Sequence, residues 1–250
     1  SGLTIQQCSF YYNIAYQGGG TYGRGGGIYL GNVNAGKLNH CVFHGNESQG
    51  TTSGSRGGNI AIEGGSVSLF NVVAAAGTSR GSGGAYPSGY GAGLWINGGT
   101  HSMTNCLVMF NRMTETGARE GGGMRIESGS KVTLANCTVY GNYPEGIRNY
   151  AGTNTVIRNS IIYGNTQNSS GGARDIISAT APTLSRNIIG DGTDDGANGN
   201  LSEDPLFEYP LFYLASGSPA VDSGDRSSAD AGLSALTCNT NGTVDSGTVD

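Results

Sequence analysis

Charge and long apolar runs are the features that this 250-residue chain has least of. Charged residues make up 12% of the chain, its net charge is −5, and lysine occurs only at positions 37 and 131. An acidic chain with so little lysine has no general electrostatic attraction to nucleic acid. No run of about eighteen apolar residues is present, so we expect no transmembrane helix.

Cysteine, histidine and proline are also sparse. The five cysteines form no CxxC pair and only three histidines accompany them, so the spacing typical of zinc ligands is absent. Six prolines, and glycines that do not recur at every third position, exclude a collagen helix. The chain opens at Ser1 with neither an initiator methionine nor a signal peptide, and we expect a processed or excised segment.

Glycine, in contrast, is abundant. The chain has 46 glycines, about 18% of its residues against roughly 7% in an average protein. Because glycine costs about 1 kcal/mol per helical position relative to alanine, long helices are disfavoured. An apolar content of 36% is nevertheless enough for a core, which argues against disorder. The composition predicts a β-rich fold with glycine at many tight turns.

An anchor residue in a similar context recurs every 23 to 34 residues. The anchors are Cys8, Cys41, Val72, Cys106, Cys137 and Ser160. The residue before each anchor is Gln7, His40, Asn71, Asn105, Asn136 or Asn159, with Asn187 as the seventh candidate. Five residues after the anchors come Asn13, Asn46, Gly77, Asn111, Asn142 and Asn165. This self-similarity predicts about seven stacked units.

A glycine-led element follows each of the early anchors. It occupies residues 25–30, 57–62, 91–96 and 121–126, and after its glycines apolar residues alternate with variable ones. That period is typical of a strand with one buried face.

The apolar positions define the path of one unit. They lie three residues before the anchor, at the anchor itself and two residues after it. The first interval is three residues long, so the alternation of inward and outward residues breaks there. We place a bend at this break, and the residue before the anchor occupies it. We expect the asparagines at this bend to hydrogen-bond to their equivalents above and below. Each unit becomes a coil of three short strands, with a long variable loop leading to the next coil, and coils stack in parallel about 4.8 Å apart. The prediction is an all-β parallel β-helix over residues 1–190, followed by a loop-rich cap or tail, 191–250, packed on it.

These motifs resemble known proteins. The three-sheet coil with an asparagine ladder resembles the right-handed β-helix of the pectate-lyase-like superfamily. The Gly-Gly-Gly-Ile and Asn-Cys-Thr-Val-Tyr-Gly-Asn elements resemble repeats of polymorphic outer-membrane proteins, and residues 201–207 and 218–225 are similar to the end of choice-of-anchor β-helix surface proteins. The resemblance implies an extracellular or outer cell-surface location, and the family pattern would continue past Asp250.

In superfamily members that act on polysaccharides, the site lies on the first sheet of the coil. Here the outward positions of that sheet are Tyr29, Ala61, Trp95, Arg125 and Arg148, and two residues later come Gly31, Glu63, Asn97, Glu127 and Tyr150. Sugars can stack on Tyr29 and Trp95, while the forks of Arg125 and Arg148 suit carboxylated or sulfated sugars. The predicted ligand-binding residues are therefore Tyr29, Trp95, Arg125, Glu127 and Arg148. Alternatively, such residues pair well across exposed strands and need no ligand.

Loops before the first sheet add more aromatic and charged residues. They are Tyr16, Tyr22, Arg24, Tyr86, Tyr90, Arg112, Glu115, Arg119 and Glu120.

The catalytic candidates are Arg125, Arg148, Glu127 and Glu63. A lyase needs a base and a group that neutralises the uronate, which Arg125 and Arg148 would have to supply. A hydrolase needs two carboxylates, and Glu63 and Glu127, two coils apart, would lie about 9.6 Å from each other. Neither arrangement forms a recognisable motif, so the sequence leans away from an enzyme.

Two lesser features complete the candidates. Asp191, Asp194 and Asp195 supply closely spaced oxygens that suit calcium, but an acidic turn is the commoner explanation; no other cofactor is expected. The cysteines at anchor positions are predicted to be small buried core residues, whereas Cys238 lies outside the ladder and is the candidate for pairing between chains.

Two functions compete. One is a structural, adhesive or filament-forming surface module that binds a polysaccharide or cell-surface glycan and self-associates through an open β-helix end. The other is a polysaccharide lyase or glycoside hydrolase acting in a groove on the first sheet.

Overall fold

A computed structural model describes residues 2–18, 22–50, 54–81, 88–114, 119–166, 172–208, 213–234 and 248–249. Over these residues the chain is all-β, and its one helical element is a 3₁₀ turn, Gly152–Asn154. Among the described residues, no helix has the length and apolar composition of a membrane-spanning segment. Cys238, Tyr86 and Glu115 lie outside the described residues.

Three long parallel sheets run the length of the molecule. The first sheet contains Ile28–Gly31, Ile60–Glu63, Leu94–Asn97, Met124–Ile126, Ile147–Asn149 and Ile176–Ser178. The second contains Thr4–Gln6, Gly36–Asn39, Ser66–Phe70, Thr100–Thr104, Lys131–Ala135, Thr155–Arg158 and Thr183–Ser185. The third contains Ser9–Tyr11, Val42–His44, Val73–Ala75, Leu107–Met109, Thr138–Tyr140, Ile161–Tyr163 and Ile188–Ile189. Each strand pairs with the equivalent strand of the next coil, so the predicted parallel β-helix is confirmed.

Six coils contribute a strand to all three sheets, slightly fewer than the seven or so predicted. The difference arises at the N-terminal end, where the first described strands belong to the second and third sheets only.

The passage from the third sheet to the first is more regular than the predicted long loops. A fourth sheet contains Ile14–Gln17, Glu47–Gly50, Thr78–Gly81 and Arg112–Met113, and a fifth contains Gly23–Arg24, Ser55–Arg56, Gly89–Tyr90 and Arg119–Glu120. The N-terminal coils therefore have five strands each, and the prediction of three was wrong for them. Both additional sheets pair in parallel and in register, which holds the side chains of these passages at fixed positions.

The bend before each anchor is a left-handed corner. The corner residues, which are Gln7, His40, Asn71, Asn105, Asn136, Asn159 and Arg186, all have φ between 49° and 53°. Asparagine tolerates this conformation better than most residues, which explains its recurrence there. The seventh corner is Arg186 and not the predicted Asn187, which instead occupies the anchor position and donates to the carbonyl of Ile157.

The predicted ladder of amides at this corner is incomplete. Asn71 Nδ2 lies 2.8 Å from His40 Nδ1, and Asn105 donates to Asn71 at 3.1 Å. Farther along, the amide nitrogen of Asn136 is buried without a partner, and Asn159 turns away to Asp225.

A complete ladder runs instead through the position five residues after the anchor. In each step one Nδ2 donates to the next side-chain oxygen at 2.7–2.9 Å, in the series Asn13, Asn46, Asn59, Asn111, Asn142, Asn165 and Asp175. Gly77 interrupts the sequence pattern, but Asn59 of the glycine-led element supplies the missing amide. The ladder is therefore continuous in space although it is discontinuous in sequence.

The interior contains the apolar positions that the repeat predicted. Leu38, Cys41 and Phe43 of one coil are fully buried, and their equivalents in the coils that follow are buried as well. Cys41, Cys106 and Cys137 are unpaired and buried, and their thiols donate to backbone carbonyl oxygens at 3.3–3.6 Å. These three cysteines act as small core residues, as the sequence predicted, but the prediction was wrong for the anchor Cys8, which is exposed because only one described coil packs against it.

The segment after residue 190 continues the solenoid briefly and then packs on its side. Asn187 donates to Asn200, and Ile188 pairs with Leu201 in parallel. Leu214 and Ala220 then cover Ile188 and other outward residues of the third sheet. The tail also forms an antiparallel pair, Phe207–Glu208 with Tyr213–Leu214. The boundary at residue 190 stays a prediction.

Candidate functional site

Glycines set the shape of the candidate site. Gly25, Gly57, Gly91 and Gly121 join the fifth sheet to the first, with φ between 61° and 67°, and a Cβ on any of them would lie 2.1–2.3 Å from a carbonyl oxygen three residues on. Only glycine fits such a bend. Side chains just before the bend contact those that follow it, and we use the name corner groove for the two outward columns, one on the fifth sheet and one on the first, that face each other there.

The register of both walls is regular. The outward column of the first sheet is Tyr29, Ala61, Trp95, Arg125 and Arg148, as predicted. The facing column of the fifth sheet is Arg24, Arg56, Tyr90 and Glu120. From the sequence, Arg24, Tyr90 and Glu120 were predicted to lie in loops, and Arg56 was not among the candidates. Each of these four residues immediately precedes a bend glycine.

A pocket of about 390 Å³ opens at the N-terminal end of the groove. It is lined by Ala15, Tyr16, Gln17, Tyr22, Gly23, Arg24 and Tyr29. The residues Tyr16 and Tyr29 are 63% and 42% exposed. Glu63 accepts one hydrogen bond from Arg24 at 2.6 Å and another from the Tyr29 hydroxyl at 2.5 Å. The hydrogen bond between Tyr29 and Glu63 raises the pKa of Tyr29.

Trp95 lies on the outward face of the first sheet but is only 1% exposed. The Arg56 guanidinium lies over its ring at 4.6 Å, and its indole nitrogen donates to Glu127 at 2.9 Å. The direct stacking of a sugar on Trp95, predicted from the sequence, does not fit this arrangement because Arg56 covers the indole.

Arg125 forms the centre of a second cluster. Its guanidinium donates to Glu120 and to both oxygens of Glu127, at 2.8 and 3.2 Å for the latter. It also lies over the rings of Tyr90 and Tyr150, at 4.0 and 4.8 Å. Arg125 is thus both neutralised and packed within the protein.

Arg148 is neutralised as well. It donates two hydrogen bonds to Glu145, at 3.0 and 2.7 Å. Burial raises the pKa of Glu145, while the backbone N–H of Gly121 and the charge of Arg148 oppose that rise. This pair fixes the turn before the strand Ile147–Asn149.

The two carboxylates predicted as a hydrolase pair lie two rungs apart on the first sheet, as the sequence predicted, and belong to different clusters. Glu63 belongs to the pocket cluster with Arg24, and Glu127 belongs to the cluster around Arg125, with Asn97 on the rung between them. Each carboxylate forms an ion pair with an arginine.

The acidic turn at residues 191–195 uses its first carboxylate within the protein. One oxygen of Asp191 accepts from the backbone and hydroxyl of Thr193, and the other accepts from the backbone N–H groups of Asp175 and Ile176. Asp194 accepts from Asn200. Across the described ranges, no three His, Cys, Asp or Glu side chains are grouped to hold a metal. Calcium at Asp191, Asp194 and Asp195 stays an untested prediction.

Comparison with known proteins gives one family match. A model described as a right-handed beta helix region matches residues 92–218, which is 127 of the 250 residues. The match includes Trp95, Arg125 and Arg148, and the N-terminal pocket lies before it. No curated protein and no solved structure matches the chain.

Proposed function

The chain belongs to the right-handed β-helix family, and on that premise we propose that it is a non-enzymatic extracellular module that binds a polysaccharide in the corner groove. The pocket at the N-terminal end is the observation that carries the proposal, because tyrosines and an arginine line it together. Tyrosine rings present apolar faces for sugar rings, and tyrosine hydroxyls donate to sugar oxygens.

The regular spacing of the coils supports a polysaccharide as the ligand. Equivalent groove positions recur at each coil, about 4.8 Å apart along the axis. A groove with a repeating wall suits a polymer with a repeating unit better than it suits a compact small molecule. Extracellular location and an adhesive role are part of the proposal, and they rest on the sequence resemblance to surface proteins.

A polysaccharide lyase or glycoside hydrolase is the alternative. Its candidate groups are Arg125, Arg148, Glu63 and Glu127, and all four are occupied by ion pairs inside the protein. A catalytic base or acid must instead point at the substrate proton. The geometry therefore favours binding without turnover.

A glycan array followed by an assay for unsaturated and reducing ends separates the two functions. We expect binding without new ends. Replacing pocket residue Tyr16 by alanine should weaken binding by about fivefold, because a buried aromatic contact contributes on the order of 1 kcal/mol. Tyr11→Ala is the matched control, since Tyr11 is similarly exposed, at 52%, and lies on the third sheet. New ends that disappear in Arg125→Ala would overturn the non-enzymatic proposal.

Self-association is a second proposed property, favoured by the N-terminal edge. The strands Thr4–Gln6, Ser9–Tyr11 and Ile14–Gln17 each end their sheet, and Ile14 and Tyr12 are 61% and 71% exposed there. Sheet edges with exposed apolar residues tend to pair with further strands. We expect concentration-dependent oligomers by sedimentation velocity and their loss in Ile14→Lys. A wild-type chain that stays monomeric at all concentrations would argue against this property.

A further inference from the structure

The arginines of the corner groove differ in whether a carboxylate forms an ion pair with them. Arg24 pairs with Glu63, and Arg125 and Arg148 each pair with glutamates on their own walls. Within the part of the chain that the structure describes, Arg56 forms no ion pair, and its buried Nε has no hydrogen-bond partner. Arg56 is thus the groove arginine that, among the described residues, no carboxylate contacts directly.

Aromatic rings hold this guanidinium in place. The Arg56 guanidinium lies 3.5 Å from the centre of the Tyr22 ring and 4.6 Å from that of Trp95. Stacking of this kind uses the flat faces of the guanidinium, whereas its N–H donors point outward in its plane. Among the described residues no group accepts a hydrogen bond from Arg56, so the rings restrict the guanidinium without using its donors, which lowers the entropic cost of binding an acceptor.

Charges of both signs act on Arg56: Arg24 lowers its pKa, whereas the carboxylates of Glu127 and Glu63, neither of which forms an ion pair with it, raise it. Arg24 is its in-register neighbour on the preceding coil, about 4.8 Å away along the sheet, and Glu63 is already bound to Arg24. Burial lowers the pKa of Arg56, but a guanidinium keeps its proton at neutral pH. A bound anion would relieve both the desolvation of Arg56 and its repulsion from Arg24.

We propose that Arg56 is the anion subsite of the corner groove and binds an oxyanion, either a carboxylate or a sulfate, on the polysaccharide. The inference rests on the proposed glycan-binding function and adds the substrate class, an acidic glycan. The subsite adjoins the pocket, because Tyr22, on which Arg56 packs, and Arg24 both line it. A guanidinium fork matches the two oxygens of either group and donates two parallel hydrogen bonds.

This assignment differs from the one that the sequence predicted. Arg125 and Arg148 were expected to recognise acidic sugars, but their own glutamates already occupy their forks. A substrate anion would have to displace a carboxylate held by two hydrogen bonds. At Arg56 it displaces none.

The test compares binding of alginate, its carboxyl-reduced neutral counterpart and dextran sulfate by isothermal titration calorimetry. We expect at least one charged polymer to bind the wild-type chain about tenfold or more tightly than the neutral polymer, since charge-assisted bidentate contacts are strong. The two charged polymers distinguish carboxylate from sulfate. Arg56→Gln should abolish the preference, whereas Arg56→Lys, which keeps the charge but loses the fork, should retain part of it.

Arg80→Gln is the matched control, because it removes the same charge from the fourth sheet, where Arg80 is 55% exposed. Its preference for charged polymers should equal that of the wild type. A preference that survives Arg56→Gln, or that falls equally in Arg80→Gln, overturns the subsite. Equal wild-type binding of charged and neutral polymers overturns the subsite and leaves glycan binding standing, whereas no binding of any polymer overturns both. Thermal unfolding of each variant checks its fold, and Arg56→Lys supplies the result if Arg56→Gln does not fold.

Discussion

Trp95 Nε1 donates a 2.9 Å hydrogen bond to Oε1 of Glu127, which lies on the neighbouring coil. The same oxygen accepts from Arg125 Nε at 2.8 Å, so one carboxylate links the indole to the central arginine of the groove. Trp95 is the only tryptophan of the chain. Its fluorescence therefore reports on the groove and on no other part of the protein.

Glu127→Ala should destabilise the protein and change this fluorescence. The substitution leaves the buried indole N–H without its acceptor and removes one partner of Arg125, and a buried donor left unsatisfied costs about 1–3 kcal/mol. Urea unfolding measures the free-energy change, and the emission maximum should shift as the indole environment alters. Glu203→Ala, at an exposed position in the tail, is the control and should leave both unchanged. Equal unfolding free energies for the two variants would contradict the predicted role.

Asn59 and Gly77 should show strong coupling. Asn59→Gly is expected to cost about 2 kcal/mol or more, because it removes the amide that joins Asn46 to Asn111 in the buried ladder. Gly77→Asn alone should also destabilise, since a Cβ at position 77 would lie 2.4 Å from Asn59 Nδ2.

The double variant should be more stable than the sum of the two single changes predicts. It moves the amide to the position that the other coils use, and removing Asn59 relieves the contact with Nδ2, so that only the Ala92 carbonyl oxygen, 2.6 Å from the added Cβ, still has to shift. A double-mutant cycle from urea unfolding measures this coupling free energy. Strict additivity would show that the two positions do not share one place in the ladder.

The effect of Asp175→Asn on the free energy of unfolding should become progressively more stabilising between about pH 4 and pH 7. Burial raises the pKa of Asp175 from 3.8 to about 6, and one of its carboxylate oxygens is buried without a partner. A raised folded-state pKa contributes stability that is fully present below the unfolded value and is lost as the pH rises through about 6. Asparagine cannot ionise, so the unfolding free energy of the variant relative to the wild type should increase by on the order of 2 kcal/mol across this range. A difference that does not vary with pH would contradict the buried ionisation.

His101 should make the opposite contribution. Its ring is buried between two coils, where Nδ1 accepts from the backbone N–H of Val67 and Nε2 donates to the carbonyl of Gly98. Burial lowers the pKa of His101. The stability that its neutral form contributes is present above the unfolded pKa of about 6.5 and is lost as the pH falls below that value.

His101→Asn keeps a side-chain acceptor but does not titrate. The wild type should lose unfolding free energy faster than this variant between pH 7 and pH 5, by at most about 1.4 kcal/mol per pH unit. Chemical denaturation at several pH values gives both slopes. Identical slopes would mean that His101 does not bind a proton on unfolding in this range.

The coil register could be predicted from the sequence because it depends on local alternation. Apolar residues at the anchor and around it face the interior in every coil, and the glycine-led strands follow with one buried face. The column that contains Tyr29, Trp95 and Arg125 follows from the same register, since in-register parallel strands place equivalent residues side by side. These features need only the period of the chain.

Other features depend on contacts between coils. The fourth and fifth sheets have strands as short as two residues, too short for any alternation to appear in the sequence. Trp95 is buried because Arg56 and Glu127, which lie on other strands, cover it and bind its indole. Asn59 replaces a ladder residue that is eighteen positions away in the sequence and adjacent in space.

The sequence by itself therefore determined that the chain forms a parallel β-helix and which side of each first-sheet strand faces outward, because hydrophobic periodicity is a property of single strands. The tertiary structure decided which arginines of the groove form an ion pair with a glutamate and which one does not. Arg24, Arg125 and Arg148 meet glutamates, and Arg56 meets only aromatic rings, among the described residues. That difference depends on distances between side chains of different strands, which the residue types alone do not specify.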